Sequence, residues 1–186
     1  MKDSALIVVD MLYDFIDGSM ACLEADKAVA NTLDYLKKIP DGSDFPILFV
    51  RDHHPANHCS FQAQGGPWPP HCVQGTHGAD IHEALAPYAD EDLSFFKGED
   101  PAKEQYSGFE GVNPAGQSLC DVLQVLDIRN VLVCGIATEY CVYNTAKDLL
   151  NAGFKVSVLK DCIAYVEKEG HLETLKTMEE KGITLI

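Results

Sequence analysis

Cys141 stands near the start of a helical pattern that follows directly on an apolar run, Val131-Leu132-Val133-Cys134, closed by Gly135. Such a run suits a buried parallel strand, and the helix after it begins at the carboxyl edge of the sheet, where ligands bind. A thiol there meets unpaired backbone N–H groups and the positive end of a helix dipole. Both favour a thiolate, and the N–H groups can also hold an oxyanion. A small residue packed inside a helix looks the same in sequence, so the other strand ends must decide. Two more apolar runs finish in possible partners. Ala5 to Val9 runs into Asp10, and Leu93-Ser94-Phe95-Phe96 runs into Lys97. Asp10 suits a general base or a helix cap. Lys97 is either a surface charge or an inward ammonium that favours a neighbouring thiolate and carboxylate.

A fourth run, Phe45 to Val50, leads into RDHHPANHCSF. In extended chain, residues two apart face the same side, so Asp52 and His54 point together while His53 points away. An Asp-x-His pair supplies two of the three positions of a facial metal site, with His58, His71 and His77 as candidates for the third. His71 closes a loop rich in glycine and proline, Gly65-Gly66-Pro67-Trp68-Pro69-Pro70-His71, which such residues make stiff.

The elements that must carry these residues alternate. Val29, Leu33, Leu36 and Ile39 lie at helical spacing over about 25–39, and Pro40-Asp41-Gly42 closes that helix. A short helix with a polar connection is expected over 78–92, and an amphipathic helix over 119–126. A further helix is expected from about Thr138 to Leu150 and another over 171–180, with strands over 156–159 and 183–186. Strands alternating with helices imply an α/β fold: one domain over residues 1–186, a three-layer sandwich around a mostly parallel sheet. The 186 residues, 46% hydrophobic and 23% charged, fit one soluble globular domain. No GxGxxG follows the first strand, which disfavours a dinucleotide cofactor. Fourteen Lys and Arg against 29 Asp and Glu leave a net charge of −15. That charge argues against nucleic acid or an anionic membrane as partner and favours a small neutral or cationic ligand. Seven cysteines without regular spacing argue against a disulfide framework. The apolar start meets Asp10 too soon for a leader or anchor, so a cytoplasmic location is expected.

Together with GIATEYCV, the strand ends Asp10, Lys97 and Cys141 resemble the cysteine hydrolases of the isochorismatase-like family. RDHHPANHCSF, GGPWPPHCVQGT and KGEDPAKEQYSGFEG resemble its nicotinamidase/pyrazinamidase branch, and the resemblance spans nearly the whole chain. It implies the isochorismatase-like hydrolase fold and an amidohydrolase of NAD salvage. That enzyme converts nicotinamide to nicotinate and ammonia, and accepts pyrazinamide, through a cysteine thioester. Cys141 is then the nucleophile, Asp10 the proton carrier, Lys97 their electrostatic partner, and the backbone N–H groups of Ala137 and Cys141 the oxyanion hole. The bond before Ala137 is typically cis in the family. Asp52, His54 and His71 are implied to bind a divalent metal, Zn2+ foremost with Mn2+ or Fe2+ as alternatives. Phe15, Trp68 and Tyr106 are implied to flank the substrate ring, and a homo-oligomer is implied as the assembly.

Two departures stand out. Gln64 occupies a place where some relatives carry an acid, and His53 one where Trp is common. Cys59 and Cys72 flank the metal residues and read as structural or incidental. Two other readings remain at this stage: an amidase for another small carboxamide or carbamoyl compound, and a catalytically silent module that binds metal or pyridine.

Overall fold

The apolar runs pair edge to edge as one parallel sheet in a computed structural model that describes residues 3–40 and 42–186. Asp41, in the turn expected to close the first long helix, lies outside the described residues. The strands are β1 (Ser4–Val9), β2 (Ile47–Asp52), β3 (Ser94–Lys97), β4 (Asn130–Gly135), β5 (Lys155–Ile163) and β6 (Thr184–Leu185). Their spatial order is β3-β2-β1-β4-β5-β6, and every neighbouring pair is parallel. Parallel neighbours need crossovers, which the helices supply: α1 (Tyr13–Ile16), α2 (Ala25–Leu36), α3 (Leu119–Val125), α4 (Tyr143–Asn151) and α5 (Lys168–Glu180).

All six residues of β1 are buried, which explains why that run is continuously apolar rather than alternating. Ala5, Ile7 and Val9 pack with Leu119 and Leu123 of α3 and Ala146 and Leu149 of α4. Leu6 and Val8 face the other way, against Ala28, Val29 and Leu36 of α2. The result is three layers, with the order reversing between β1 and β4. Asp10 follows one of those strands and Cys141 belongs to the turn after the other, so both sit where two crossovers part and a crevice opens.

Gly135, at the end of β4, sits beside Val9, and a Cβ there would lie 2.0 Å from the Val9 carbonyl oxygen. Its φ of +131° is also open mainly to glycine. The chain then passes through a cis Ile136–Ala137 bond, as the family resemblance implies.

Boundaries shift from expectation in places with a physical cause. β2 begins at Ile47 rather than Phe45, since Pro46 has no N–H for the ladder, although its carbonyl accepts from Leu6 N at 3.0 Å. The 78–92 region holds two single 3-10 turns, His77–Ala79 and Ala86–Tyr88, in place of the expected helix. The helix expected from Thr138 opens as a wide π-type turn, Thr138–Val142, before α4. β5 runs four residues past the expected end, to Ile163, and α5 starts earlier than expected, at Lys168. No helix of the described residues is long and apolar enough to cross a membrane, and all seven thiols are free.

Candidate active site and metal centre

Three strand ends converge on the Lys97 ammonium, whose side chain is wholly buried. Lys97 Nζ lies 2.9 Å from Asp10 Oδ2 and 3.5 Å from Cys141 Sγ, and it donates to Asp52 Oδ1. Of the two possibilities open for Lys97, the inward one holds. β3 brings it alongside Asp52 of β2, its paired residue in the ladder. Asp10 takes a left-handed backbone conformation, φ +50°, where the chain turns off β1. Its Oδ1 accepts the Asp52 N–H at 2.8 Å, while Oδ2 takes no backbone hydrogen bond and pairs with the Lys97 ammonium. Oδ2 is therefore the oxygen left to take a proton. Reactive atoms of Asp10, Asp52 and Cys141 all lie within 4.8 Å of one another.

Burial raises the Asp10 carboxyl to about 6, against the pull of Lys97. Burial also pushes the Cys141 thiol well above its ordinary value, more than Lys97 lowers it. At neutral pH the pair is thus a carboxylate beside a thiol, poised for proton transfer between them. Burial would lower Lys97, but Asp10 and Asp52 outweigh it and hold the ammonium well above its ordinary range. Burial would likewise raise Asp52, but Lys97 and the His54 contact keep it ionised, below the usual carboxylate range.

Asp52 also faces a second group. Its Oδ2 lies 3.5 Å from His54 Nε2, and donor atoms of Asp52, His54 and His71 fall within 4.8 Å of one another, all three residues buried. His54 Nδ1 bonds the Gly98 carbonyl at 2.9 Å and His71 Nδ1 bonds the Pro69 carbonyl at 2.8 Å. A carbonyl can only accept, so each Nδ1 carries a proton and Nε2 is the nitrogen that offers a lone pair when the ring is neutral. Burial would lower His54, but the Asp52 carboxylate outweighs it and raises the ring above its ordinary value. Two imidazole lone pairs and a carboxylate on one side of a pocket fit a divalent metal. Burial lowers His71 below its ordinary value, favouring the neutral ligand form. At Gly98, φ is +71° and a Cβ would lie 2.3 Å from the His54 ring, so glycine lets β3's exit close over that ligand.

The other histidines weighed as ligands are turned to other partners. His58 stacks beside His54 with ring centres 4.1 Å apart, but its Nδ1 meets Ser60 Oγ at 2.6 Å and its Nε2 meets the Lys103 carbonyl at 3.1 Å. His77 is exposed and packs on Tyr13. His53 turns away, as the strand alternation requires, and bonds Glu99 at 2.8 Å. Gln64 is exposed, Cys72 buried and Cys59 half-buried.

Above these groups is a pocket whose lining includes Phe15, Trp68, Tyr106, His71, Ala137 and Cys141. Trp68 Nε1 donates to Tyr106 Oη at 3.1 Å, which fixes the two rings relative to each other. Tyr140 stands edge-on to Trp68 at 5.3 Å. The Ala137 amide finds no acceptor among the described residues and remains available to an incoming oxygen. Sequence reasoning missed Tyr140, and also Met20, Cys22, Glu104 and Val166 on the same walls. Tyr140 had a signal, being the neighbour of Cys141 in a helical turn. The others come from loops without periodicity.

Known proteins resemble this chain over nearly its whole length. Residues 4–186 match the isochorismatase domain family. The nicotinamidase/pyrazinamidase of Mycobacterium tuberculosis is 36% identical over 186 residues, covering 98% of this chain and 97% of that protein. The pyrazinamidase of Pyrococcus horikoshii, solved in complex with zinc, superposes with a TM-score of 0.86 at 39% identity, covering 99% and 98% of the two chains. PnC1 of L. infantum, solved in complex with nicotinate, gives a TM-score of 0.89 at 33% identity, covering 100% of this chain and 92% of that one.

Proposed function

The chain belongs to the isochorismatase family, and from that membership we propose that it is a nicotinamidase that also hydrolyses pyrazinamide, serving NAD salvage. The observation that carries this reading is Asp52, one carboxylate shared between the Lys97–Asp10–Cys141 cluster and the Asp52–His54–His71 group. A nucleophile and a ring anchor held on two sides of one residue suit a flat heteroaromatic carboxamide. The zinc-bound and nicotinate-bound relatives support the same substrate class.

In this mechanism Asp10 Oδ2 takes the Cys141 proton as Sγ bonds to the carboxamide carbon. The carbonyl oxygen becomes an oxyanion facing the Ala137 and Cys141 N–H groups. Asp10 returns the proton to the nitrogen, the C–N bond breaks, and ammonia leaves from a thioester. Water then attacks the thioester while Asp10 takes its proton. The C–S bond breaks, the acid departs, and the thiol is restored. Lys97 steadies each negative state of this cycle. Phe15, Trp68 and Tyr106 bind the ring faces, which accept pyrazine as readily as pyridine because the shapes match. Asp52, His54 and His71 would hold a divalent metal, zinc foremost, which when bound supplies a Lewis-acid anchor for the ring nitrogen.

The test is ammonia release from nicotinamide by purified protein, with and without chelation, and with Cys141→Ala. Release that needs both the thiol and the metal is expected. Turnover by Cys141→Ala at the wild-type rate overturns the mechanism. Turnover of other small amides but not nicotinamide overturns the substrate assignment.

A further inference from the structure

His71 reaches the metal group from the glycine- and proline-rich loop, and both peptide groups flanking it are tied to the same short segment, Asp14 to Ser19. On one side, the Cys72 N–H donates to Asp14 Oδ2 at 2.7 Å. On the other, the Pro70 carbonyl accepts from Ser19 Oγ at 2.8 Å. The two anchors are themselves linked, since Ser19 N–H donates to Asp14 Oδ1 at 3.2 Å and Met20 N–H to the Asp14 carbonyl at 2.8 Å. The peptide planes before and after His71 are thus held by one carboxylate and one hydroxyl.

The backbone at this point needs holding. Cys72 is fully buried with φ at +46°, a left-handed conformation that a residue bearing Cβ avoids unless its surroundings enforce it. Its carbonyl accepts from His54 N–H at 2.9 Å, so the residue whose N–H Asp14 grips also ties the His71 loop to His54. Gly78 closes over the carboxylate: a Cβ there would lie 2.0 Å from Asp14 Oδ2. Phe15, next in the chain, sets its ring 5.5 Å from that of His71.

We propose that Asp14, acting with Ser19, is a positioning residue for His71, fixing the backbone on both sides of that ligand and thereby setting the affinity of the site for a divalent metal. The inference rests on the metal reading of Asp52, His54 and His71. Asp14 touches none of the reacting atoms. It accepts two N–H groups at once, which an ionised carboxylate does well. An amide in its place offers one acceptor oxygen and would turn an NH2 group toward the other N–H. Partners just outside a ligand shell typically tune metal affinity by about 10–100-fold.

The experiment measures the zinc dissociation constant of the full chain by competition with a chromophoric chelator. It compares wild type with Asp14→Ala, Asp14→Asn and Ser19→Ala, each also melted in its metal-free form. Asp14→Ala is expected to weaken zinc binding by about 10–100-fold, with turnover largely recovered at saturating zinc. Asp14→Asn should fall between it and wild type, and Ser19→Ala should lose a few-fold. Should Asp14→Ala fail to fold, Asp14→Asn and the exposed Ser19→Ala carry the same comparison, and unchanged zinc affinity in both overturns the inference. Unchanged zinc affinity in Asp14→Ala with a lowered metal-free melting point makes Asp14 a fold residue only, and likewise overturns it. A wild-type chain that binds no zinc overturns the metal reading itself, a result distinct from either of these.

Discussion

The Lys97 ammonium donates to Asp52 Oδ1, and the other oxygen of that carboxylate faces His54 Nε2. One buried cation therefore balances Asp10 and Asp52 together. Lys97→Met should leave two carboxylates facing each other out of water. Breaking a buried pair in this way costs about 3–5 kcal/mol at neutral pH. Without the cation both carboxyls bind protons more tightly folded than unfolded, so the variant's stability deficit should shrink as pH falls from 7 toward 5. Urea unfolding at the two pH values checks this, and a deficit that grows on acidification would contradict the arrangement. Lys97→Arg should not rescue, since a planar guanidinium does not fit a point-charge site.

Asp10 must be ionised to accept the Cys141 proton, and burial raises it to about 6. The base is present above that value and lost below it. Accordingly kcat/KM should be level near pH 7.5 and fall with unit slope as pH drops through about 6. Asp10→Asn should lower kcat by about 10²–10⁴-fold, the usual contribution of a positioned base, and flatten the acid limb. Alkylation of Cys141 by iodoacetamide should follow the same limb in wild type. A labelling rate that ignores pH between 5 and 8 would remove Asp10 from the role.

Much of the site was legible because its chemistry follows apolar strands. Asp10, Asp52 and Lys97 each stand at the end of an apolar run that suits a buried strand, and the parallel sheet brings those ends to one edge. The Asp52-x-His54 spacing read correctly for the same reason, since alternation along an extended chain is geometry. What stayed hidden depends on pairings across loops. Asp14 meets Cys72 from 58 positions away, and no periodicity joins a single helical turn to a proline-rich loop. The choice of His71 over His58 came from the family resemblance, because both histidines sit in loops whose paths local sequence leaves open. The missing helix over 78–92 has a similar cause: Pro87 and the lack of a sustained apolar stripe leave only isolated turns.

Gly135 lets β4 pass within contact of β1 just before the nucleophile turn. Gly135→Ala would place a Cβ 2.0 Å from the Val9 carbonyl oxygen, at a φ of +131°. Neither backbone is free to yield, because both strands lie in the middle of the sheet. The change is expected to cost on the order of 3–5 kcal/mol, at the severe end for point substitutions. Gly153→Ala makes a useful control. Its φ of +95° is also unfavourable to alanine, but no atom stands within 4 Å of the added carbon. It should cost about 1–2 kcal/mol from backbone strain alone. Equal losses in the two variants, read by urea unfolding, would mean that the close approach to Val9 contributes nothing.

Glu139 sits two residues before Cys141 in the nucleophile turn, and its carboxylate reaches to the start of α5. Oε1 accepts from Val166 N–H at 3.1 Å and from Glu167 N–H at 2.8 Å. α5 has no side-chain cap of its own, so Glu139 caps it from another element. Val166 lines the pocket, and the paired backbones of Tyr165 and Leu23 tie in the segment that carries Met20 and Cys22. The turn that presents the thiol thus also holds the facing wall. Glu139→Ala should loosen that wall, raising KM for nicotinamide about tenfold, or about 1.4 kcal/mol, while kcat changes by less than about threefold. Glu139→Gln keeps an acceptor for both amides and should stay within about threefold of wild type in KM. Steady-state kinetics separate the possibilities. A fall in kcat with KM unchanged would mean that Glu139 acts on the placement of Cys141 and not on the pocket wall.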